Sequence, residues 1–147
     1  MKKFFILCLM AFVMCVNANA QIGWIADYVP ADELTDEGGY HISMYDCEKG
    51  YFAIRSDLDR VFISTHEGIF DYDNNKIFVL IGYYKNGVLI EKETAYFFVG
   101  SKGDIAVLTG KTKILNHLKT VGDIRIVAER YNRSDFDITI PMNATIK

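Results

Sequence analysis

The chain is poor in cysteine, basic charge and long hydrophobic runs, and each shortage excludes a class of protein. Sixteen basic residues face nineteen acidic ones, so the sequence has no basic patch of the kind that binds nucleic acid. After the N-terminal region, no segment is long and apolar enough to span a membrane, which takes roughly 20 residues. Of the three cysteines, only Cys47 lies outside the first twenty residues.

Those first twenty residues have the three parts of a cleaved signal peptide. Lys2 and Lys3 supply the positive charge, an apolar run occupies residues 4–16, and Ala18 and Ala20 are the small residues that signal peptidase requires. The apolar run is too short to cross a bilayer. We therefore expect export, with cleavage after Ala20 and a periplasmic or secreted product.

An alternative form of export would anchor the chain as a lipoprotein at Cys15. Met14 stands where lipoprotein signals carry a small residue, so cleavage after Ala20 fits better. Cleavage removes two lysines and two cysteines, which leaves 14 basic against 19 acidic residues, a net charge of −5, and Cys47 as the sole cysteine. An intramolecular disulfide is then impossible, so the fold must depend on its apolar core.

What the chain does have is short apolar runs rich in tyrosine, phenylalanine, isoleucine and valine, separated by glycine, asparagine and aspartate. We expect an all-β domain over residues 40–141, with about eight short strands arranged mainly as an antiparallel sandwich or open barrel. Residues 21–39 are predicted to be an irregular N-terminal segment, and residues 142–147 a loose tail. One short helix is predicted near residues 111–121, where apolar residues repeat at helical spacing.

The strongest local signal is a hairpin that turns at Asn86-Gly87. This dipeptide suits a type I′ turn, whose two central residues need positive φ. The turn predicts a register in which Tyr83 faces Ile90 on the core side. Aromatic residues are dense on this hairpin, and Tyr84 and Phe97 would make a ligand-binding patch if they were exposed together. Packing of these aromatic residues in the core is the favoured alternative.

Asp71, Asp73 and Asn75 offer oxygen ligands at alternate positions, as a calcium loop does at its start. The match then fails, because Lys76 stands where such a loop needs glycine and Gly82 where it needs glutamate. Asp and Asn also form turns readily before a strand, and this interpretation is favoured. Calcium is the only cofactor that the sequence suggests.

The sequence contains no complete catalytic motif. Ser64 and His66 lie two residues apart on one predicted strand, and Cys47 is a candidate nucleophile, but a triad also needs an orienting group, and no GxSxG elbow is present. No pair among His41, His66 and His117 has zinc-ligand spacing. The sequence therefore favours a binding protein over an enzyme.

These observations predict an exported, non-catalytic binding module of the bacterial cell envelope, whose partner is a protein or a glycan. A small exported hydrolase is the first alternative, and it requires a cleft that joins a histidine to Ser64 or Cys47. A barrel-like carrier of a small apolar ligand is the second, and it requires an enclosed apolar cavity.

Overall fold

The computed structural model describes residues 23–31, 34, 38–55, 60–109 and 112–146. Nine strands and one short helix occupy most of this part of the chain, and all neighbouring strands run antiparallel. The predicted all-β class with one helix is thus confirmed. The predicted signal peptide lies outside the described residues. Within them, no helix is long and apolar enough to cross a membrane.

The nine strands form a single open sheet in the order β1-β2-β3-β4-β7-β6-β5-β8-β9. The two longest strands, β5 and β6, lie inside the sheet with a neighbour on each side. In chain order the elements are β1 (Gly23–Val29), β2 (Tyr40–Cys47), β3 (Gly50–Arg55), β4 (Arg60–Thr65), β5 (Lys76–Lys85), β6 (Val88–Val99), β7 (Ile105–Thr109), α1 (Thr112–Thr120), β8 (Ile124–Ala128) and β9 (Phe136–Ile140).

Strand alternation places the core on one face of the sheet. On β5 the odd-numbered residues from Ile77 to Tyr83 are buried, and on β8 and β9 the even-numbered residues are buried. Each fully buried isoleucine or phenylalanine contributes roughly 1.5–3 kcal/mol to stability. The single described cysteine, Cys47, forms no disulfide, so this burial carries the fold.

The two ends of the described chain pack onto the sheet more closely than expected. Part of the segment predicted as irregular forms β1, which pairs with β2 along its whole length. Trp24 of β1 donates its indole N–H to the carbonyl oxygen of Pro141 at 3.0 Å, so the sheet curls until its first strand meets the chain after its last. Ile146 is buried in the core, and the predicted loose tail is therefore partly packed.

Helix α1 covers the core near the turn of the β5–β6 hairpin. Its apolar side packs inward, with Ile114 and Leu118 fully buried. His117 is also buried, and its Nε2 atom lies 2.9 Å from the carbonyl oxygen of Tyr84 and 3.1 Å from that of Asp123. The helix is too short to be stable alone, and these contacts with the sheet hold it in place.

A matched pair of glycine substitutions tests the packing of the sheet. A Cβ atom on Gly50 would overlap the backbone oxygen of Ser64 and press on the ring of Phe136, whereas a Cβ atom on Gly38 would meet nothing within 4 Å. Gly50→Ala is expected to lower the free energy of unfolding by about 2 kcal/mol, measured by urea titration. Gly38→Ala is expected to change it by less than about 0.5 kcal/mol. Equal effects of the two substitutions would contradict the described packing.

Candidate binding surface

A β-bulge in the β5–β6 hairpin decides which aromatic residues reach the surface. The predicted two-residue turn forms, with positive φ at both central residues, but the register then shifts. Tyr84 pairs with Leu89, whereas Tyr83 pairs with Glu91, so Ile90 is an extra residue on β6. Ile90 is 53% exposed instead of buried opposite Tyr83. Every β6 side chain beyond Ile90 therefore lies on the opposite face of the sheet from the one it would occupy in a hairpin without a bulge.

Tyr84 and Phe97 are therefore not exposed together, and the favoured alternative, packing in the core, holds for Phe97. Phe97 pairs with Ile77, and its side chain is fully buried in the core. Tyr84 is half-buried on the opposite face. The one-residue shift turns Phe97 inward and turns its two neighbours, Tyr96 and Phe98, outward.

The sheet face opposite the core carries a row of exposed apolar side chains, the outer stripe. Its members are Phe78, Leu80, Tyr96 and Phe98, which are 58%, 44%, 61% and 57% exposed. Phe78 and Tyr96 are paired across the hairpin, with ring centroids 5.4 Å apart in an edge-to-face arrangement. The Lys76 ammonium lies 5.3 Å from the centroid of the Phe98 ring.

Strand register extends the outer stripe to both sides. Val107 pairs with both Phe98 and Phe62, and Val127 pairs with Leu80. The three flanking side chains are half-buried. Apolar surface thus runs across five neighbouring strands, β4, β7, β6, β5 and β8. An exposed apolar patch on a sheet face makes this surface the candidate binding surface.

A first groove, of about 470 Å³, lies near the hairpin turn. It is lined by Tyr84, Gly87, Asp123, Arg125, Asp137 and Thr139. The Arg125 guanidinium donates to both carboxylate oxygens of Asp137, at 2.8 and 2.6 Å. This hydrogen-bonded pair lowers the pKa of the Asp137 carboxyl group and raises the pKa of Arg125. Asp137 therefore already has its counter-ion, and Tyr84 is the aromatic side chain of this groove.

A second groove, of about 210 Å³, lies directly against the outer stripe and is termed the acidic groove. It is lined by Asp71, Phe78, Leu80, Val127, Ala128, Glu129 and Asp135. The three acidic residues are exposed, and their carboxylates make no hydrogen bond or ion pair with any described residue. Lys49 reaches this region, but its ammonium donates to the backbone oxygen of Asp135 at 3.3 Å.

The residues predicted as calcium ligands build a turn. Asp73 and Lys76 exchange backbone hydrogen bonds of 3.0 and 2.9 Å, and Asn74 and Asn75 between them have φ of 50° and 60°. Asparagine tolerates this left-handed conformation, which explains the local sequence. Asp71 lies in the acidic groove. In the part of the chain that the structure describes, no group of three or more His, Cys, Asp or Glu side chains is placed to hold a metal ion.

The candidate catalytic residues do not assemble into a triad. His66 and Asp46 lie 2.8 Å apart at Nε2 and Oδ1 on the surface, whereas the Ser64 side chain is buried. The Cys47 thiol donates to the carbonyl oxygen of Gly50 at 3.1 Å, and burial raises its pKa. A thiol with a raised pKa is a poor nucleophile at neutral pH.

A polar cluster that sequence reasoning missed joins α1 to the hairpin. The Tyr83 hydroxyl donates to Glu93 at 2.5 Å, and burial together with this hydrogen bond raises the pKa of Tyr83. Lys113 of α1 forms an ion pair with Glu91 and lies 3.9 Å from Glu93. The sequence did not predict this cluster because the register without a bulge places Glu91 and Glu93 on the sheet face opposite to Tyr83. The cluster anchors the helix.

Comparison of the chain with known protein families, curated protein sequences and solved structures finds no match. The function is therefore argued from the geometry of the outer stripe and the grooves beside it.

Proposed function

We propose that the protein is an exported, non-catalytic binding module of the bacterial cell envelope, and that it binds its partner through the outer stripe. The exposure of Phe78, Tyr96 and Phe98 in the middle of the sheet carries this proposal. An aromatic side chain that is half exposed leaves about 100 Å² in water, and burying that area against a partner contributes roughly 2 kcal/mol. Three such rings on rigid strands can supply most of the affinity of a small interface.

The two alternatives have less support. A hydrolase needs a nucleophile beside the His66–Asp46 pair, and the two candidate nucleophiles are buried or hydrogen-bonded elsewhere. A carrier needs an enclosed apolar cavity. The face that would line such a cavity is filled by buried side chains such as Phe52, Phe97 and Phe136, and the two grooves open onto the opposite face. Binding at the surface fits these observations better than turnover or carriage.

The stripe is tested by a pair of matched double substitutions. Phe78→Ser with Tyr96→Ser removes two rings from the stripe, and Tyr28→Ser with Tyr131→Ser removes two rings of similar exposure elsewhere. We expect the first variant to capture at least tenfold less partner from envelope extract, as quantified by mass spectrometry. The second variant should capture less than twofold less. Urea titration checks that both variants unfold cooperatively, with the first less stable by about 1–2 kcal/mol because it also loses the ring contact between Phe78 and Tyr96. Equal capture by the two variants would refute the stripe as the binding surface.

The export part of the proposal is tested by the mass of the protein isolated from the cell envelope. Cleavage after Ala20 predicts a chain that begins at Gln21, free or cyclised to pyroglutamate, and carries no acyl group. A chain that begins at an acylated Cys15 would show that the protein is a lipoprotein and that cleavage does not occur after Ala20. Recovery of the uncleaved chain from the cytoplasm would overturn export altogether.

A further inference from the structure

We propose that the partner of the outer stripe is a protein segment rich in basic and apolar residues, and that one of its lysine or arginine side chains occupies the acidic groove. This inference rests on the proposed function and specifies the chemistry of the partner. It follows from the floor of the acidic groove, from its charge, and from a comparison with the neighbouring groove.

The floor of the acidic groove is apolar and continuous with the outer stripe. Phe78 and Leu80 belong to both, and Val127 lies beside Leu80 in register. The methylene stem of a lysine or arginine packs favourably on such a surface while its charged head stays at the polar rim. The aromatic face of Phe78 adds attraction for a cation that lies above it. A partner segment lying on the stripe can therefore extend a long basic side chain into the groove.

The rim of the acidic groove carries three carboxylates that form no ion pair with a described residue. Asp71, Glu129 and Asp135 line it together, and like charges around one groove repel each other. The Lys49 ammonium donates to the backbone oxygen of Asp135 and forms no ion pair with these carboxylates. A guanidinium or ammonium group would reduce this repulsion and donate charge-assisted hydrogen bonds to the carboxylates. The hydroxyl groups of a neutral saccharide would leave the repulsion in place.

In the first groove, the chain itself supplies the counter-ion for the carboxylate. On the same sheet face, Asp137 of β9 is held by a bidentate hydrogen-bonded pair with Arg125 of β8. Glu129 and Asp135, which flank the same two strands, form no ion pair with a described residue. The two grooves thus differ in whether their carboxylates are paired within the described part of the chain. This contrast favours the acidic groove as the place where a partner's cation binds.

The inference is tested with defined peptides and the purified protein. The probe is an acetylated and amidated hexapeptide that alternates lysine with isoleucine, and its control replaces each lysine by glutamine. Binding is measured by isothermal titration and mapped by amide chemical shifts. We expect the lysine peptide to bind at least tenfold more tightly than the glutamine peptide. We expect it to shift the signals of β5 and β8.

Charge-neutralising variants locate the cation. Glu129→Gln with Asp135→Asn is expected to lower the affinity for the lysine peptide at least tenfold. A matched pair of single substitutions is compared as well. Asp135→Asn is expected to weaken binding, whereas Asp27→Asn, which removes the same charge from an exposed position on β1, is expected to change affinity less than twofold. Because these substitutions keep side-chain volume and lie at the surface, none should alter folding. Equal weakening by the two single substitutions would show general charge attraction and overturn the groove as the site.

The remaining outcomes separate the two proposals. If the lysine and glutamine peptides bind the stripe equally, or if a tetramer of N-acetylglucosamine binds there instead, the stripe is a binding surface and the basic partner is wrong. If none of the three probes shifts signals of the stripe and the Phe78→Ser, Tyr96→Ser protein still captures its partner, the proposed function fails, and the basic partner fails with it.

Discussion

The alternation of side chains along β6, and the single extra residue that shifts it, govern the rest of this structure. A strand has a period of two, so one inserted residue exchanges the faces of everything that follows. At Ile90 the insertion sends Phe97 into the core and leaves Tyr96 and Phe98 in water. The outer stripe exists because of this shift, and so does the polar cluster in which Glu93 accepts a hydrogen bond from the buried Tyr83.

The two faces of the hairpin consequently have different chemistry. On the core face, Lys113 of the helix forms an ion pair with Glu91, and the Tyr83 hydroxyl donates a hydrogen bond to Glu93, so that polar groups brought inward have partners. On the outer face, apolar rings lie beside carboxylates that have no partner among the described residues. The core face near the turn thus stabilises the fold, whereas the outer face is the one on which the proposed binding surface lies.

Sequence patterns predicted those elements whose two faces differ in polarity. The strands β8 and β9 have apolar residues at every second position, and the short helix shows its spacing clearly, so their buried sides were correctly predicted. The phase of β6 could not be predicted in this way, because its residues from Ala95 to Val99 are all apolar or aromatic. Because polar residues do not alternate here to indicate the solvent-exposed face, the register was predicted from the turn alone. The bulge lies after the turn and shifts that register. The acidic groove also escaped prediction, because Asp71 is distant in sequence from Glu129 and Asp135, and only the sheet order brings them together.

The bulge itself is tested most directly by the accessibility of cysteines at two adjacent positions of β6. Ala95→Cys and Tyr96→Cys are compared in chains whose other cysteines are serine, and maleimide labelling is followed in the folded state. Ala95 is 7% exposed and Tyr96 61% exposed, so position 96 should label at least tenfold faster than position 95. An unbroken hairpin would bury position 96 and expose position 95. Faster labelling at position 95 would therefore contradict the bulge, the outer stripe and the binding surface derived from them.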